Sequence, residues 1–223
     1  MVRFILFVAI IVSLSACNFN ITPTFYIRDI QDVISDKKDI EIPISIKLPA
    51  SDVDSCNSEI GQVIGILDTY GIDGTLQSCS ADENNLFATA NVEFTASVIY
   101  SETPEVENFI GIVGLVVEEA EDGVYYLNLQ ANPNLPKAIS DIEGALIFAT
   151  LDASQVGFII TLNKHTRRAF TFNIYDILVN GVATDYNIFE LGPRSELEVP
   201  ASDVGVNLFF NRGWFGIGDF ANY

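Results

Sequence analysis

Histidine is nearly missing from this chain: of 223 residues, only His165 carries an imidazole. Cysteine is scarce too, at three residues, so a zinc site of the usual His and Cys type cannot be assembled. A nucleophilic triad would have to use His165, which stands between Lys164 and Arg167 where cationic neighbours disfavour the imidazolium. No motif supplies the nucleophile or the orienting carboxylate such a triad needs. A phosphate-binding Gly loop and a Gly-x-Ser-x-Gly elbow are both absent. Paired carboxylates of the glycosidase kind stay open, because acids are everywhere and the fold sets their separation. Basic residues are few as well, 11 Lys and Arg against 30 Asp and Glu, for a formal net charge of −19. That surface repels nucleic acid and anionic headgroups. Solubility accounts for the acidity, in a medium whose salt screens the repulsion. The expectation is a protein that is not an enzyme, with no cofactor, no metal and no small-molecule substrate.

What is present begins at the first residues. Arg3 is followed by an unbroken apolar run from Phe4 to Val12, and Leu14-Ser15-Ala16-Cys17 closes the segment. A charged start, an apolar middle and small residues before a cut are the layout of a secretory signal. The run is shorter than the roughly 20 apolar residues of a membrane-spanning helix, and Asn18 and Asn20 end it. The stretch resembles a bacterial lipoprotein signal, whose lipobox is cleaved so that the cysteine becomes a lipidated first residue. That resemblance makes residues 1–16 a signal peptide and Cys17 the lipidation site, and Asn18 in place of Asp favours sorting to the outer membrane. Cleavage by an ordinary signal peptidase near Ala16 is the alternative, and it would leave a free thiol. Cysteine arithmetic favours the lipid: with Cys17 modified, Cys56 and Cys79 remain as an even pair in an oxidising compartment.

Almost half of the residues are apolar, enough for a packed core. The expected class is α+β, mostly antiparallel β with one or two short helices, in two small domains. Residues 17–24 read as a lipidated polar leader. Phe25-Tyr26-Ile27 and Glu41 to Leu48 read as strands, the second with period two and with Pro43 marking a sheet edge. Ile60, Val63, Ile64 and Leu67 lie on one helical face, Asp54, Ser55 and Asn57 offer cap oxygens, and Gly71 stops the helix. Cys56 opens that helix and Cys79 falls in the next strand, so a disulfide staples helix to sheet. Leu86 to Tyr100 is strand-rich. The Pro-broken segment Ser101 to Glu105 is the boundary between a stapled domain, 25–102, and a β-rich domain, 106–223.

In the second half, Ile112 to Val117 and Val124 to Leu129 form a hairpin around Asp122-Gly123. The acids Glu118 to Asp122 lack the ligand spacing of an EF-hand and read as a solvated loop. A short helix is expected around Pro136 to Glu143. Gly157 to Leu162 and Ala169 to Ile174 read as a second hairpin, with Lys164, Arg167 and Arg168 at a basic tip. Val206 to Tyr223 reads as one or two closing strands, its aromatics, Trp214 and Phe215 among them, forming either core or a docking patch. The basic tip likewise reads either as a polar turn or as a contact for phosphates or acidic loops. Two short echoes recur in order. Ile27 to Ile30 and Pro49-Ala50-Ser51-Asp52-Val53 return as Ile174 to Ile177 and Pro200-Ala201-Ser202-Asp203-Val204.

The lipobox, Cys56 opening a helix, Cys79 in the following strand, the Val179-Asn180-Gly181 turn and the late Ser202-Asp203-Val204 together resemble a family of small lipoproteins. Its members are encoded by tailed phages, prophages and their proteobacterial hosts, and the family brings no catalytic residues. The resemblance implies an envelope protein, anchored by lipid, that binds an outer-membrane protein in superinfection exclusion or lysogenic conversion. A structural or assembly lipoprotein of the host envelope is the alternative. Partner contacts would fall on Lys164, Arg167, Arg168, Trp214 and Phe215.

Overall fold

The computed structural model describes residues 19–81, 88–120, 123–145, 156–163, 170–179 and 182–221. The first five strands in chain order are β1 Phe19–Ile21, β2 Thr24–Tyr26, β3 Ile40–Ala50, β4 Gly74–Ala81 and β5 Ala88–Ser101. Then come β6 Val113–Glu119, β7 Val124–Ala131, β8 Val156–Asn163, β9 Phe170–Val179, β10 Val182–Leu191, β11 Glu196–Pro200 and β12 Trp214–Ala221. The helices are α1 Ile27–Asp36, α2 Val53–Asp68, α3 Leu135–Ala145 and α4 Asp203–Arg212. This is the expected α+β class, a mixed and mostly antiparallel sheet with short helices.

Strand β5 organises the sheet because it is long enough to serve three partners. β3 follows one edge from Ile40↔Val98 to Ala50↔Ala88. On the other edge β4 pairs antiparallel with Ala88 to Phe94, and β6 then pairs parallel from Ala96↔Val113 to Ser101↔Glu118. From β6 the sheet continues through β7, β12, β9 and β10; from β3 it continues through β1, β8 and β11. β11 comes to lie against β9, so the sheet curls round on itself, and α4 packs on β7, β8, β9 and β12. The apolar sides of strands from both halves meet in one core, from Ile30 and Val92 to Leu129, Phe158, Phe172 and Phe209.

Several expectations change here. The segment read as a polar leader carries β1 and the first residue of β2, whose Phe25 and Tyr26 are strand as expected; β1 and β2 run in succession along β8, and Ile21 is only 5% exposed. The Ser101–Glu105 segment leads from β5 towards β6, and those two strands pair with each other, so it is a crossover within one sheet. After Tyr26 the chain turns into α1, whose Ile27, Ile30, Val33 and Ile34 repeat with helical spacing and are all buried. Among the described residues β8 and β9 do not pair as a hairpin. β9 pairs with β10 up to Val179↔Val182, across Asn180-Gly181, while β8 pairs with β11, β1 and β2. Asn-Gly between apolar runs is the stronger hairpin signal, and it takes β9 as its partner. The closing segment is a helix, α4, followed by one strand, β12. The other hairpin, β6 with β7, and the helices at 53–68 and 135–145 lie where the sequence puts them.

Among the described residues β12 and β9 pair in register at Gly218↔Ile174 and Asp219↔Asn173. A Cβ at Gly218 would stand 1.9 Å from the Asn173 carbonyl oxygen, so this approach requires glycine.

Candidate functional site

Cys56 sits in the first turn of α2, fully buried, and is bonded to Cys79 of β4 with Cα atoms 6.3 Å apart. That separation is ordinary for a disulfide. The cap of α2 is Asp52, whose carboxylate accepts from the Ser55 amide at 2.7 Å. The capping carboxylate therefore lies ahead of the Asp54, Ser55 and Asn57 oxygens. The Ser55 amide, then its hydroxyl, hold the Asp52 carboxyl below the ordinary carboxylate range. Cys17 lies outside the described residues, as do Lys164, Arg167 and Arg168.

Of the C-terminal aromatics, Phe209, Phe215 and Phe220 are core. Phe215 is 3% exposed and packs against Phe158 and Phe209, so it offers no surface to a partner. Trp214 is half-buried and its indole N–H donates to Glu105 Oε1 at 2.8 Å. That bond belongs to a larger arrangement. Gln130 clamps Val106, donating from Nε2 to its carbonyl at 2.6 Å and accepting its amide at 2.9 Å. Asn132 Nδ2 donates to the Gly111 carbonyl at 2.7 Å, and Ser97 Oγ to the Ile110 carbonyl at 2.6 Å. Ser97, Gln130 and Asn132 are buried and each bonds to the 102–112 crossover, Asn132 also accepting the Asn134 amide through Oδ1 at 2.9 Å. Together with Trp214 they strap that segment across the face of the sheet away from the main core. Asn128 and Gln130 alternate along β7 within an apolar run and Asn132 follows its end, a spacing that was the trace of this face in the sequence.

At the opposite end of β3 from the disulfide, Lys37, Tyr100 and Glu119 form a polar cluster. The Tyr100 hydroxyl donates to Glu119, Lys37 Nζ lies 3.4 Å from Glu119 Oε2, and the ammonium sits 4.7 Å from the Tyr100 ring centre. The Tyr100 hydroxyl, then Lys37, hold the Glu119 carboxyl below its ordinary range. Burial, then Glu119, push the Tyr125 hydroxyl up. The cluster ties the end of α1 to β5 and β6.

A cleft of about 260 Å³ opens beside Pro43, with Glu41, Asp73 and Glu93 on its walls. It is smaller than the roughly 300–1,000 Å³ of small-molecule sites. Among the described residues no three His, Cys, Asp or Glu side chains converge as metal ligands, and no helix is long and apolar enough to cross a membrane.

The surface with docking character is the edge strand β10. Among the described residues it pairs with β9 on one side only, ends the sheet order, and exposes Tyr186 and Ile188, 50% and 57%, on one face. Tyr186 stacks on Tyr175 of β9 with ring centres 5.9 Å apart. An unpaired edge with an apolar stripe is a template for an added strand. Alternation of Tyr186 and Ile188 after Asn180-Gly181 was the available sequence signal.

Residues 19–221 match the family model described as a domain of unknown function, DUF7424. The chain belongs to the DUF7424 family. The match takes in the whole described sheet, from β1 to the end of β12. No curated protein and no solved structure matches the chain.

Proposed function

We propose that this DUF7424 protein is a non-enzymatic lipoprotein of the bacterial envelope, anchored through Cys17, whose folded body binds an outer-membrane partner. The observation that carries the reading is the position of the lipobox-like Leu14-Ser15-Ala16-Cys17: one residue, Asn18, separates it from residue 19, where the family match begins. A signal, a lipidated cysteine and a domain follow one another without overlap. The Cys56–Cys79 disulfide supports export to an oxidising compartment. With the lone histidine and no nucleophile motif, the sequence favours binding over catalysis. The resemblance to phage and prophage lipoproteins adds the finer reading, superinfection exclusion or lysogenic conversion by masking a receptor. The β10 edge with Tyr186 and Ile188 then takes the place of Phe215 as the contact surface, by strand addition.

Fractionation tests the anchor. Cys17→Ser is expected to move the folded chain from the membrane fraction to the soluble fraction, and a soluble wild type overturns the reading. Protease shaving of intact cells, with permeabilised cells as control, tests the partner side. Digestion in intact cells fits receptor masking at the surface. Digestion only after permeabilisation moves the partner to the periplasm and favours an envelope-assembly role.

A further inference from the structure

The pairing register places β1, which follows the proposed anchor in the chain, between two strands that end in copies of one motif. Ile21 of β1 pairs with Ile46 of β3 on one side and with Phe158 of β8 on the other. β3 is antiparallel to β1, so four residues on from Ile46 it reaches Ala50, past the level of Phe19 at the start of β1. β11 closes the other side: Pro200 pairs with Ile159, and the Ala201 amide donates to the Phe158 carbonyl at 2.8 Å. Ala201 is thus level with Ile21, and both β3 and β11 run towards the end of the sheet at which β1 begins; both finish in Pro-Ala-Ser-Asp-Val, at 49–53 and 200–204. Each motif then begins a helix, α2 or α4. The last residue of each is an exposed valine, Val53 at 42% and Val204 at 59%.

Single exposed apolar residues are common on protein surfaces. Here two of them occupy the same place in a repeated motif, on either side of the chain's entry. Cys17 is two residues from Phe19, and two residues span at most about 7 Å. A lipid on Cys17 cannot hold the body away from the bilayer; it holds this end against it. We propose that the twin junctions form the membrane-facing end of the protein, with Val53 and Val204 touching the bilayer interface on either side of the anchor. The inference rests on the lipoprotein reading. The neighbouring Asp52, Asp54 and Asp203 limit the contact to a shallow one, since buried carboxylates are costly. Asp54 and Asp203 lie in first helical turns and Asp52 caps α2, where the helix N-terminus favours negative charge. The orientation turns the far end of β3, with Lys37 and Glu119, away from the membrane.

The test uses the full, processed chain in vesicles of phosphatidylethanolamine with a minority of phosphatidylglycerol. Val53→Cys, Val204→Cys and Lys38→Cys are labelled singly with a small fluorophore, Cys56 and Cys79 being blocked by their bond. Lys38 is exposed and lies beyond the other end of β3, about 33 Å from Ala50 at ~3.3 Å per residue. Nitroxide on the lipid headgroup is expected to quench the labels at 53 and 204 several-fold more than the label at 38, and aqueous iodide to do the reverse. Mass spectrometry of the N-terminal peptide reads the acyl group on the same samples. Acylated protein with equal quenching at all three positions overturns the orientation alone. A peptide without lipid overturns the anchor, and the orientation with it.

Discussion

Pro-Ala-Ser-Asp-Val ends a strand and begins a helix at both 49–53 and 200–204, yet different letters of the motif cap the two helices. At the first junction Asp52 caps α2; at the second Ser202 caps α4, accepting from the Gly205 amide at 3.2 Å. The reason lies eight residues downstream. Glu59 faces Ser51 and takes both its amide, at 2.9 Å, and its hydroxyl, so that serine is occupied and the aspartate caps. The residue in the same place after Ser202 is Phe210, which competes for neither group, and Ser202 turns in to cap, 3% exposed. The fastening beyond the cap also differs. α2 is held by a covalent bond at Cys56, α4 by aromatic packing of Phe209 on Phe158 and Phe215. A short motif thus fixes where a helix begins, and its neighbours decide how it is secured.

Removing each fastening measures that difference. Phe209→Ala empties the packing of α4 and is expected to cost about 3–5 kcal/mol, the range for a large buried aromatic. Cys56→Ser removes the covalent fastening of α2. Its loop separates residues by 23 positions, and closing it is worth about 3–4 kcal/mol in the chain-entropy model. Urea unfolding of the two variants reads both. The Cys56→Ser, Cys79→Ser double variant should lose little more than either single one, since the two residues act through one bond. Additive losses would mean that the disulfide is not the source. Ser202→Ala should cost about 1 kcal/mol, and Ser51→Ala less, because only the first is a cap. Equal losses would remove the distinction between the junctions.

The same contrast shows what the sequence makes legible. α2 announces itself through Ile60, Val63 and Leu67 on one face, and the even cysteine pair places its staple. α1 carries a similar signal in Ile27, Ile30, Val33 and Ile34, but Phe25-Tyr26-Ile27 reads locally as strand, and the turn into helix comes at the third of those residues. α4 is hidden more deeply. Its Phe209 and Phe210 and its glycine favour strand or loop, and burial of Val206 and Phe209 overrides that propensity. The partner of β8 was not legible at all. Which strand pairs with which is decided across the whole sheet, and β9 pairs with β10 and β12 while β8 pairs with β11, β1 and β2. Of the residues suggested for binding, Phe215 failed for a related reason: alternation shows that an aromatic lies on a face but not whether another layer covers it.

The smallest expected effect separates the two ends of β3. The disulfide end carries a bond insensitive to acid, whereas the Lys37, Tyr100, Glu119 end is held by a carboxylate. The folded-state pKa of Glu119 lies below its ordinary value of 4.5, with the Tyr100 hydroxyl as the main cause and Lys37 the second. A depressed carboxyl contributes stability above its unfolded pKa and loses it as pH falls through the folded one. Thermal unfolding followed from roughly pH 6 down to 3 should therefore fall less steeply for Glu119→Gln than for the parent. The groups are exposed, so the difference should shrink with added salt. Cys56→Ser should shift the whole curve down without changing its slope. If Glu119→Gln also only shifts the curve, the cluster holds α1 to β5 and β6 through shape and hydrogen bonds alone, and its charge contributes nothing.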